Sequence, residues 1–226
     1  MNKTILMILT LLVFSLFSSS ALAKSDPPET SIEGLTLVEH DRRGEIYADP
    51  DADWSEYSQI QLQQATVSFR KNWKRDQNRY DPFKVKDQDI GKIKSGLSDL
   101  FNDVFTEELS ANGGYTMTES SGADVMTIKP RIVDLDIAAP DTMRAGVSQS
   151  YTEQAGRMTL MLEIYDSLSG DLIAKVSDRQ NAPRYGYMQW TTSVSNSAEA
   201  RRMLQRWASA LRVKLDEARS GPPADD

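Results

Sequence analysis

Apolar residues recur at three- and four-residue spacing in two long stretches, and this pattern predicts two amphipathic helices. The first stretch covers residues 87–109 and is followed by an Asn-Gly-Gly sequence typical of a helix end. The second begins near Ser195 or Ser197 and runs to about residue 217. The apolar positions are Ile90, Ile93, Leu97, Leu100, Phe101, Val104, Phe105 and Leu109 in the first stretch, and Ala200, Met203, Leu204, Trp207, Leu211 and Leu215 in the second.

Apolar and polar residues alternate in other segments, which predicts β-strands. The alternation in residues 59–69 shifts once, as in a strand with a bulge. Residues 157–166 and 171–179 alternate on either side of a tight turn, so they are predicted to form a hairpin. Further strands are predicted at residues 115–119 and 124–138.

This order of elements predicts an α+β domain, with one antiparallel sheet of about four to five strands and both helices packed on one face. The single domain covers residues 34–219, between a flexible lead-in at residues 24–33 and a disordered tail at residues 220–226. A domain of this size can be stable by packing alone. The chain contains no cysteine, so no disulfide contributes.

The first 23 residues have the order of a secretory signal peptide. Lys3 supplies a positive charge, residues 5–17 form an apolar run, and residues 21–23 (Ala-Leu-Ala) form a small-x-small cleavage site. The run is too short for a membrane-spanning helix, which needs about 20 residues. Lys24 follows the predicted cut where a bacterial lipoprotein carries a cysteine, so we expect a secreted protein without a lipid anchor.

The composition removes several classes of function. The formal net charge is −7, which disfavours general nucleic-acid binding because that binding depends on neutralising phosphates. His40 is the only histidine and lies in a charged segment, so it is expected at the surface. Without cysteine, and with this one histidine, a cysteine nucleophile is excluded and a Ser-His-Asp system or a zinc site is improbable. We find no cofactor motif and expect no catalytic residue of these types.

One basic cluster stands out from the acidic chain, and it is a candidate binding surface. It consists of Arg70, Lys71, Trp73, Lys74 and Arg75. Such a cluster can bind an anionic envelope polymer, a lipid headgroup or an acidic protein. The alternative is that Trp73 is a core anchor and that the cations lie in a solvated loop.

A second candidate surface is the aromatic segment that precedes the last helix. Tyr185, Tyr187 and Trp190 lie within residues 183–190, which are predicted to form a loop. Aromatic residues and arginine are frequent anchors of interfaces, so the loop can stack on sugars or dock a protein. The alternative is that the loop folds back over the edge of the sheet.

Two sets of carboxylates are candidates for chemical sites. Asp134 and Asp136 lie two apart in a predicted strand, so they are expected on one face with Val133 on the other. They are the candidates for acid–base hydrolysis, although a half-exposed strand shows the same alternation. Residues 49, 51 and 53 are aspartates at the spacing of a calcium loop, but the loop's glycine and glutamate positions hold Trp54 and Ile60, which favours an acidic turn.

Short motifs run in a fixed order through most of the chain. They comprise Gly34-Leu35, Ala52-Asp53 with Tyr57, Val67 and Phe69 with Trp73, Gly114-Tyr115, Asp166-Ser167 with Gly170-Asp171, Asp178, and Trp207-Ala208. Their order resembles an uncharacterised family of bacterial envelope proteins catalogued as domain of unknown function 3313. The resemblance implies a secreted or lipid-anchored protein of Gram-negative bacteria, and it brings no catalytic residue with it.

These observations favour a non-catalytic periplasmic binding or accessory protein of the Gram-negative envelope. Its partner is expected to be an envelope protein or an anionic envelope polymer. The second hypothesis is a carboxylate-dependent hydrolase that acts on cell-wall glycans. A structural envelope protein with no discrete site is a third.

Overall fold

The computed structural model describes residues 26–79, 84–137, 151–154, 156–181, 184–190 and 193–221. Within these ranges the chain forms ten strands and three α-helices. In chain order they are β1 (Thr36–His40), β2 (Gly44–Ala48), β3 (Gln59–Leu62), β4 (Thr66–Phe69), α1 (Trp73–Gln77), α2 (Asp87–Ser110), β5 (Thr116–Met117), β6 (Val125–Ile137), β7 (Tyr151–Gln154), β8 (Gly156–Asp166), β9 (Leu172–Asn181), β10 (Arg184–Trp190) and α3 (Ser193–Ser220).

Eight strands form one mixed sheet in the order β1-β2-β9-β8-β6-β3-β5, and β4 also pairs with β6. The β1-β2-β9-β8-β6 part is antiparallel throughout. By contrast, β3 and β4 run parallel to β6 and lie one after the other along it. β7 and β10 pair in a separate two-stranded ladder. In the chain, β7 comes just before β8 and β10 comes just after β9.

The predicted α+β class is confirmed, but the prediction of four to five antiparallel strands is wrong. The single strand predicted at residues 59–69 is two strands, β3 and β4, and both fit along the 13-residue β6. The pair β1 and β2 was not predicted because their sequences are TLVEH and GEIYA, and most of their side chains are at least partly exposed. A strand at the edge of a sheet carries little of the apolar alternation that marks a strand in sequence.

The two predicted amphipathic helices are present as α2 and α3, and they pack against each other and against one face of the sheet. The rings of Phe101 and Phe105 on α2 stack at 3.9 Å between centroids and are fully buried. On α3 the buried residues include Leu204, Trp207 and Ala208. The sheet residues beneath the helices include Ile128, Ile132, Leu160, Leu162 and Ile164.

The predicted hairpin is confirmed as β8 and β9, and the carboxylate of Asp166 closes its turn. It accepts hydrogen bonds from the backbone N–H groups of Leu168 and Ser169, at 3.0 and 2.6 Å, and from the hydroxyl of Tyr57 at 3.1 Å. Gly170 completes the turn at φ 77°, a left-handed conformation that glycine adopts without strain. The bond from the Ser169 N–H is the main cause that lowers the pKa of Asp166.

We predict that Asp166→Asn destabilises the fold by about 1 kcal/mol at pH 7, because it removes the charge that strengthens these bonds. Since folding lowers the pKa of Asp166, its stabilisation is complete above the unfolded pKa of about 3.9 and is lost as pH falls through the lower folded value. Urea unfolding from pH 7 to pH 2 should therefore show that the difference in the free energy of unfolding between wild type and variant shrinks below about pH 4.

Asp171→Asn is the matched control, since it removes the same charge at the same turn but none of these bonds. The prediction would be contradicted if the difference in the free energy of unfolding between wild type and Asp166→Asn stayed constant across the acid range.

Candidate functional site

A groove of about 480 Å³ lies between α3 and the β1-β2-β9-β8 side of the sheet. Its floor is formed by strand residues that face the helix, and one wall is formed by α3. The floor residues that define it are Ile46, Ala48, Leu162, Ala174 and Val176, and the wall residues are Trp207, Leu211 and Leu215. We call this feature the α3 groove.

The α3 groove exists because two helices are too few to cover this sheet. Strands lie about 4.8 Å apart, so the seven strand positions across the sheet span roughly 30 Å. Two packed helices, each about 10 Å in diameter, cover only about 20 Å of that width. The β1–β2 hairpin therefore extends past α3, and small residues such as Ala48, Ala174, Ala210 and Ala218 leave the space beside the helix open.

The polarity of the α3 groove changes along its length. In the sheet register Gly44, Asp178 and Leu160 form one row, and Ala48, Ala174 and Ile164 form another row four residues away. Gln180 and Arg206 line the groove beside the row that contains Asp178, so this end of the groove is polar. The row that contains Ala48 is the apolar end.

Two hydrogen bonds connect α3 to β9 at the polar end. The indole Nε1 of Trp207 donates to Oδ2 of Asp178 at 2.6 Å, and Nε of Arg206 donates to Oε1 of the buried Gln180 at 3.0 Å. A hydrogen bond to a charged acceptor is stronger than one between neutral groups. These bonds set the position of α3 over the sheet and so the width of the groove.

Gly44 allows the strands to approach closely beneath the polar end. A Cβ atom at this position would overlap the carbonyl oxygen of Ser177 on the neighbouring β9. Only glycine fits here, and it keeps β2 close to β9 where the groove begins.

An ion pair joins the two sides of the groove midway along it. Nζ of Lys214 on α3 lies 3.0 Å from Oε2 of Glu39 on β1 and 3.4 Å from Glu217. The hydrogen bond to Glu39 raises the pKa of Lys214. Both side chains are about half exposed, so the pair is worth little as a source of stability. Its position at the mouth makes it a contact that a ligand can displace.

His40 also lines the α3 groove, as a half-exposed side chain 3.9 Å from Asp26. Nearby, Nε of Arg43 lies 3.1 Å from the carboxylate of Asp41. Bonds from the backbone N–H groups of Arg43 and Gly44 to that carboxylate lower its pKa. These groups form a charged rim of the groove.

The structure places the predicted basic cluster away from the groove, at the junction of β4 and α1, and pairs most of its cations with carboxylates. Arg70 lies 2.7 Å from Asp76 and 2.8 Å from Asp136, and Arg75 lies 3.3 Å from Asp76. Bonding to Arg70 is the main cause that lowers the pKa of Asp76. Lys74 lies 2.6 Å from Asp87, and Lys71 is exposed.

Trp73 is an interior residue, which agrees with the alternative that it is a core anchor. It is 1% exposed, its ring stacks on that of Phe69 at 4.0 Å, and its Nε1 donates to the carbonyl of Ile137 at 2.8 Å. It is therefore not available to stack on a ligand at the surface. Binding by the cations of the cluster remains a prediction.

The aromatic segment that was predicted to be a loop is the strand β10. Residues 184–190 pair with β7, with Arg184 opposite Gln154 and Trp190 opposite Tyr151, and the register shifts between these two pairs. Tyr185 and Tyr187 therefore belong to the two-stranded ladder. The loop prediction failed because the partner strand is contributed by residues 151–154, which show no clear alternation. A binding role for the segment remains a prediction.

Asp134 and Asp136 lie on β6, but a bulge changes their predicted arrangement. Val133 pairs with Thr159 and Asp136 with Arg157, so two residues of β6 oppose one residue of β8. Asp134 takes up the extra residue with φ 51°. Because Thr159 and Arg157 are two apart, Val133 and Asp136 share a face, which contradicts the prediction that they lie on opposite faces.

Arginines on both sides hold the carboxylate of Asp136. Its two oxygens lie 2.8 Å from Nε of Arg70 and 2.9 Å from Arg157. The pairing also links the basic cluster to the start of β8, so both lie at the same end of the sheet. These two ion pairs occupy both oxygens of the Asp136 carboxylate.

Two of the three aspartates with calcium-loop spacing, Asp49 and Asp53, bond to the backbone of their own turn. Asp49 accepts from the N–H of Asp51 at 2.9 Å, and Asp53 accepts from the N–H of Ser55 at 3.0 Å. Among the residues that the structure describes, no group of three metal-binding side chains is close enough to hold an ion. The same part of the chain contains no helix long and apolar enough to cross a membrane.

The chain belongs to the family described as protein of unknown function DUF3313, whose model matches residues 30–211. Comparison with curated proteins gives no match. Among solved structures, the chain is similar to the PelC dodecamer from Paraburkholderia phytofirmans, with 10% identity, 75% of this chain and 97% of that chain covered, and a TM-score of 0.36. Protein XCC0632 from Xanthomonas campestris is similar at 13% identity, with coverages of 75% and 89% and a TM-score of 0.40.

Four residues of the short motifs noted in the sequence bond to one another across the fold. Asp178 pairs with Trp207 at the polar end of the groove, and Tyr57 pairs with Asp166 at the hairpin turn. Burial and the bond to Asp166 raise the pKa of Tyr57 to about 12, so this phenol remains a donor. Sequence reasoning did not find the α3 groove, but the joint presence of Asp178 and Trp207 among the motifs was a signal for it.

We predict that Asp178 and Trp207 are energetically coupled. A double-mutant cycle with Asp178→Asn and Trp207→Phe, measured by urea unfolding, should give a coupling energy of about 1 to 2 kcal/mol. Trp54 lines the same groove without bonding to Asp178, so Trp54→Phe is the control, and its effect should add to that of Asp178→Asn. Equal coupling in both cycles would show that the bond does not position α3.

Proposed function

We propose that this protein is a non-catalytic binding or accessory protein of the Gram-negative cell envelope, and that it holds its ligand in the α3 groove. The observation that supports this proposal is the apolar floor, which the fold leaves open beside α3. Its volume of about 480 Å³ lies within the range of about 300–1,000 Å³ that is common for small-molecule sites. Polar groups at one end can orient what binds there.

We propose a periplasmic location, with the signal peptide cleaved after Ala23. The first support is the order of charged, apolar and small residues before Lys24. The second is membership of the family, because the chain's resemblance to it implies an envelope location. The lysine at this position supports a protein without a lipid anchor. Such a protein depends on its own surface to find its target.

We also propose the basic cluster and the strand β10 as further contact surfaces for an envelope protein or an anionic envelope polymer. Lys71 and Arg75 are exposed and can reach a partner. Local pairing of Arg70 and Lys74 with carboxylates weakens their attraction for an external anion. This surface is therefore secondary to the groove.

The hydrolase hypothesis has less support. It depends on Asp134 and Asp136, and neither lines the groove. The ion pairs of Asp136 with Arg70 and Arg157 occupy the carboxylate that would have to exchange a proton. We therefore propose binding without catalysis.

We predict that a photoreactive amino acid at Val38, on the groove rim, crosslinks to the natural ligand or partner in intact cells. Val38 is 64% exposed and lines the groove, so the probe does not disturb the core. Adding Ala210→Phe to the same chain should abolish the crosslink, because a phenyl ring on α3 would occupy the groove. The adducts are identified by mass spectrometry after purification.

The control is the same probe at Val213, which is 53% exposed on α3 and does not line the groove. A crosslink specific to Val38 and sensitive to Ala210→Phe supports the proposal. An absence of adducts at Val38, or adducts that Ala210→Phe leaves unchanged, would be evidence against the groove as the binding site.

A further inference from the structure

We propose that the α3 groove binds an anionic amphiphile with a single hydrocarbon chain, its headgroup at Arg206 and its chain directed toward Ala218. This inference rests on the proposed binding function and adds the chemical class of the ligand. It is carried by the dimensions of the groove, the pairing of its strands and the distribution of its charges.

The dimensions favour a thin chain. Arg206 and Ala218 both line the groove and are twelve residues apart on α3, which is about 18 Å along the helix axis. A volume of about 480 Å³ spread over that length describes an elongated site, which suits a chain-like ligand better than a compact one.

The pairing of the floor strands disfavours an extended peptide. β2 is bonded to β1 on one edge and to β9 on the other, so the floor offers no free strand edge. The wall is a helix, whose backbone groups bond within α3. A peptide strand in the groove would bury N–H and C=O groups without partners, which is costly. A hydrocarbon chain carries no such groups.

The charges place an anionic headgroup at the polar end. Among the cations that line the groove, Lys214 is paired with Glu39 and Arg43 with Asp41. Arg206 bonds to the neutral amide of Gln180 and makes no ion pair with a carboxylate among the described residues. The guanidinium has five donors in a planar fork, so it can bind a carboxylate or phosphate in addition to Gln180.

Asp178 lies at the same end, where it accepts a bond from the neutral indole of Trp207, so the preference for an anionic headgroup rests on the guanidinium donors of Arg206. Beyond this end, the floor consists of Ile46, Val176, Ala48 and Ala174, which suit methylene groups. Burying one methylene is worth about 0.8 kcal/mol, so affinity should rise steeply with chain length until the groove is full.

The test is isothermal titration calorimetry of the full chain with three probes built on a twelve-carbon chain: laurate, dodecylphosphocholine and dodecyltrimethylammonium, each below its micelle concentration. We expect laurate to bind at least about tenfold more tightly than the cationic probe, the ratio that one charge-assisted contact supplies. Arg206→Gln should remove most of this preference, and circular dichroism should show that the variant remains folded.

Ala218→Phe is the second variant, because it shortens the channel at the far end. It should weaken laurate binding about tenfold while leaving octanoate binding nearly unchanged, since the shorter chain does not reach residue 218. Arg201→Gln and Val213→Phe are the controls, as exposed residues of α3 outside the groove, and neither should alter binding.

Laurate binding no tighter than that of dodecyltrimethylammonium, or binding that Arg206→Gln leaves unchanged, would overturn this inference. A crosslink from Val38 to a protein, combined with no laurate binding, would overturn the ligand class but leave the proposed binding function intact. Failure of both experiments would remove the function as well.

Discussion

The width of the sheet relative to its helices is the constraint on which this structure depends. Burial of one sheet face drives the packing of α2 and α3, but two helices cover about 20 Å of a sheet that spans roughly 30 Å. The uncovered part lies at β1 and β2, where exposed polar residues make an edge tolerable. The groove is the consequence of this mismatch. Its apolar floor is an extension of the apolar sheet face that β8 and β9 contribute to the core, and α3 leaves this part uncovered.

Hydrogen bonds between residues distant in sequence then hold the elements of the fold together. The bond from Trp207 to Asp178 joins α3 to β9, and the bond from Tyr57 to Asp166 joins the segment before β3 to the hairpin turn. These contacts hold helix, sheet and turn together. At the α3 groove the protein offers an apolar surface and a lining cation, Arg206, that forms no ion pair among the described residues.

Local patterns in the sequence predicted the helices and the hairpin because their apolar spacing reports burial directly. α2, for example, begins at Asp87 and ends one residue beyond the prediction. Features that depend on long-range pairing were not predictable. The split of residues 59–69 into β3 and β4, the left-handed Asp134 and the strand β10 all depend on partners distant in sequence. The groove was missed because it is formed by small residues, which carry no signal of their own.

The central claim is that the α3 groove is a ligand site, and native mass spectrometry of the protein purified from envelopes without detergent tests it most directly. A ligand that fits the groove should travel with the folded protein as a noncovalent adduct of a few hundred daltons. The account predicts this adduct on the wild-type protein and its loss from Ala210→Phe. A wild-type protein that carries no adduct, or an adduct that Ala210→Phe retains, would contradict it.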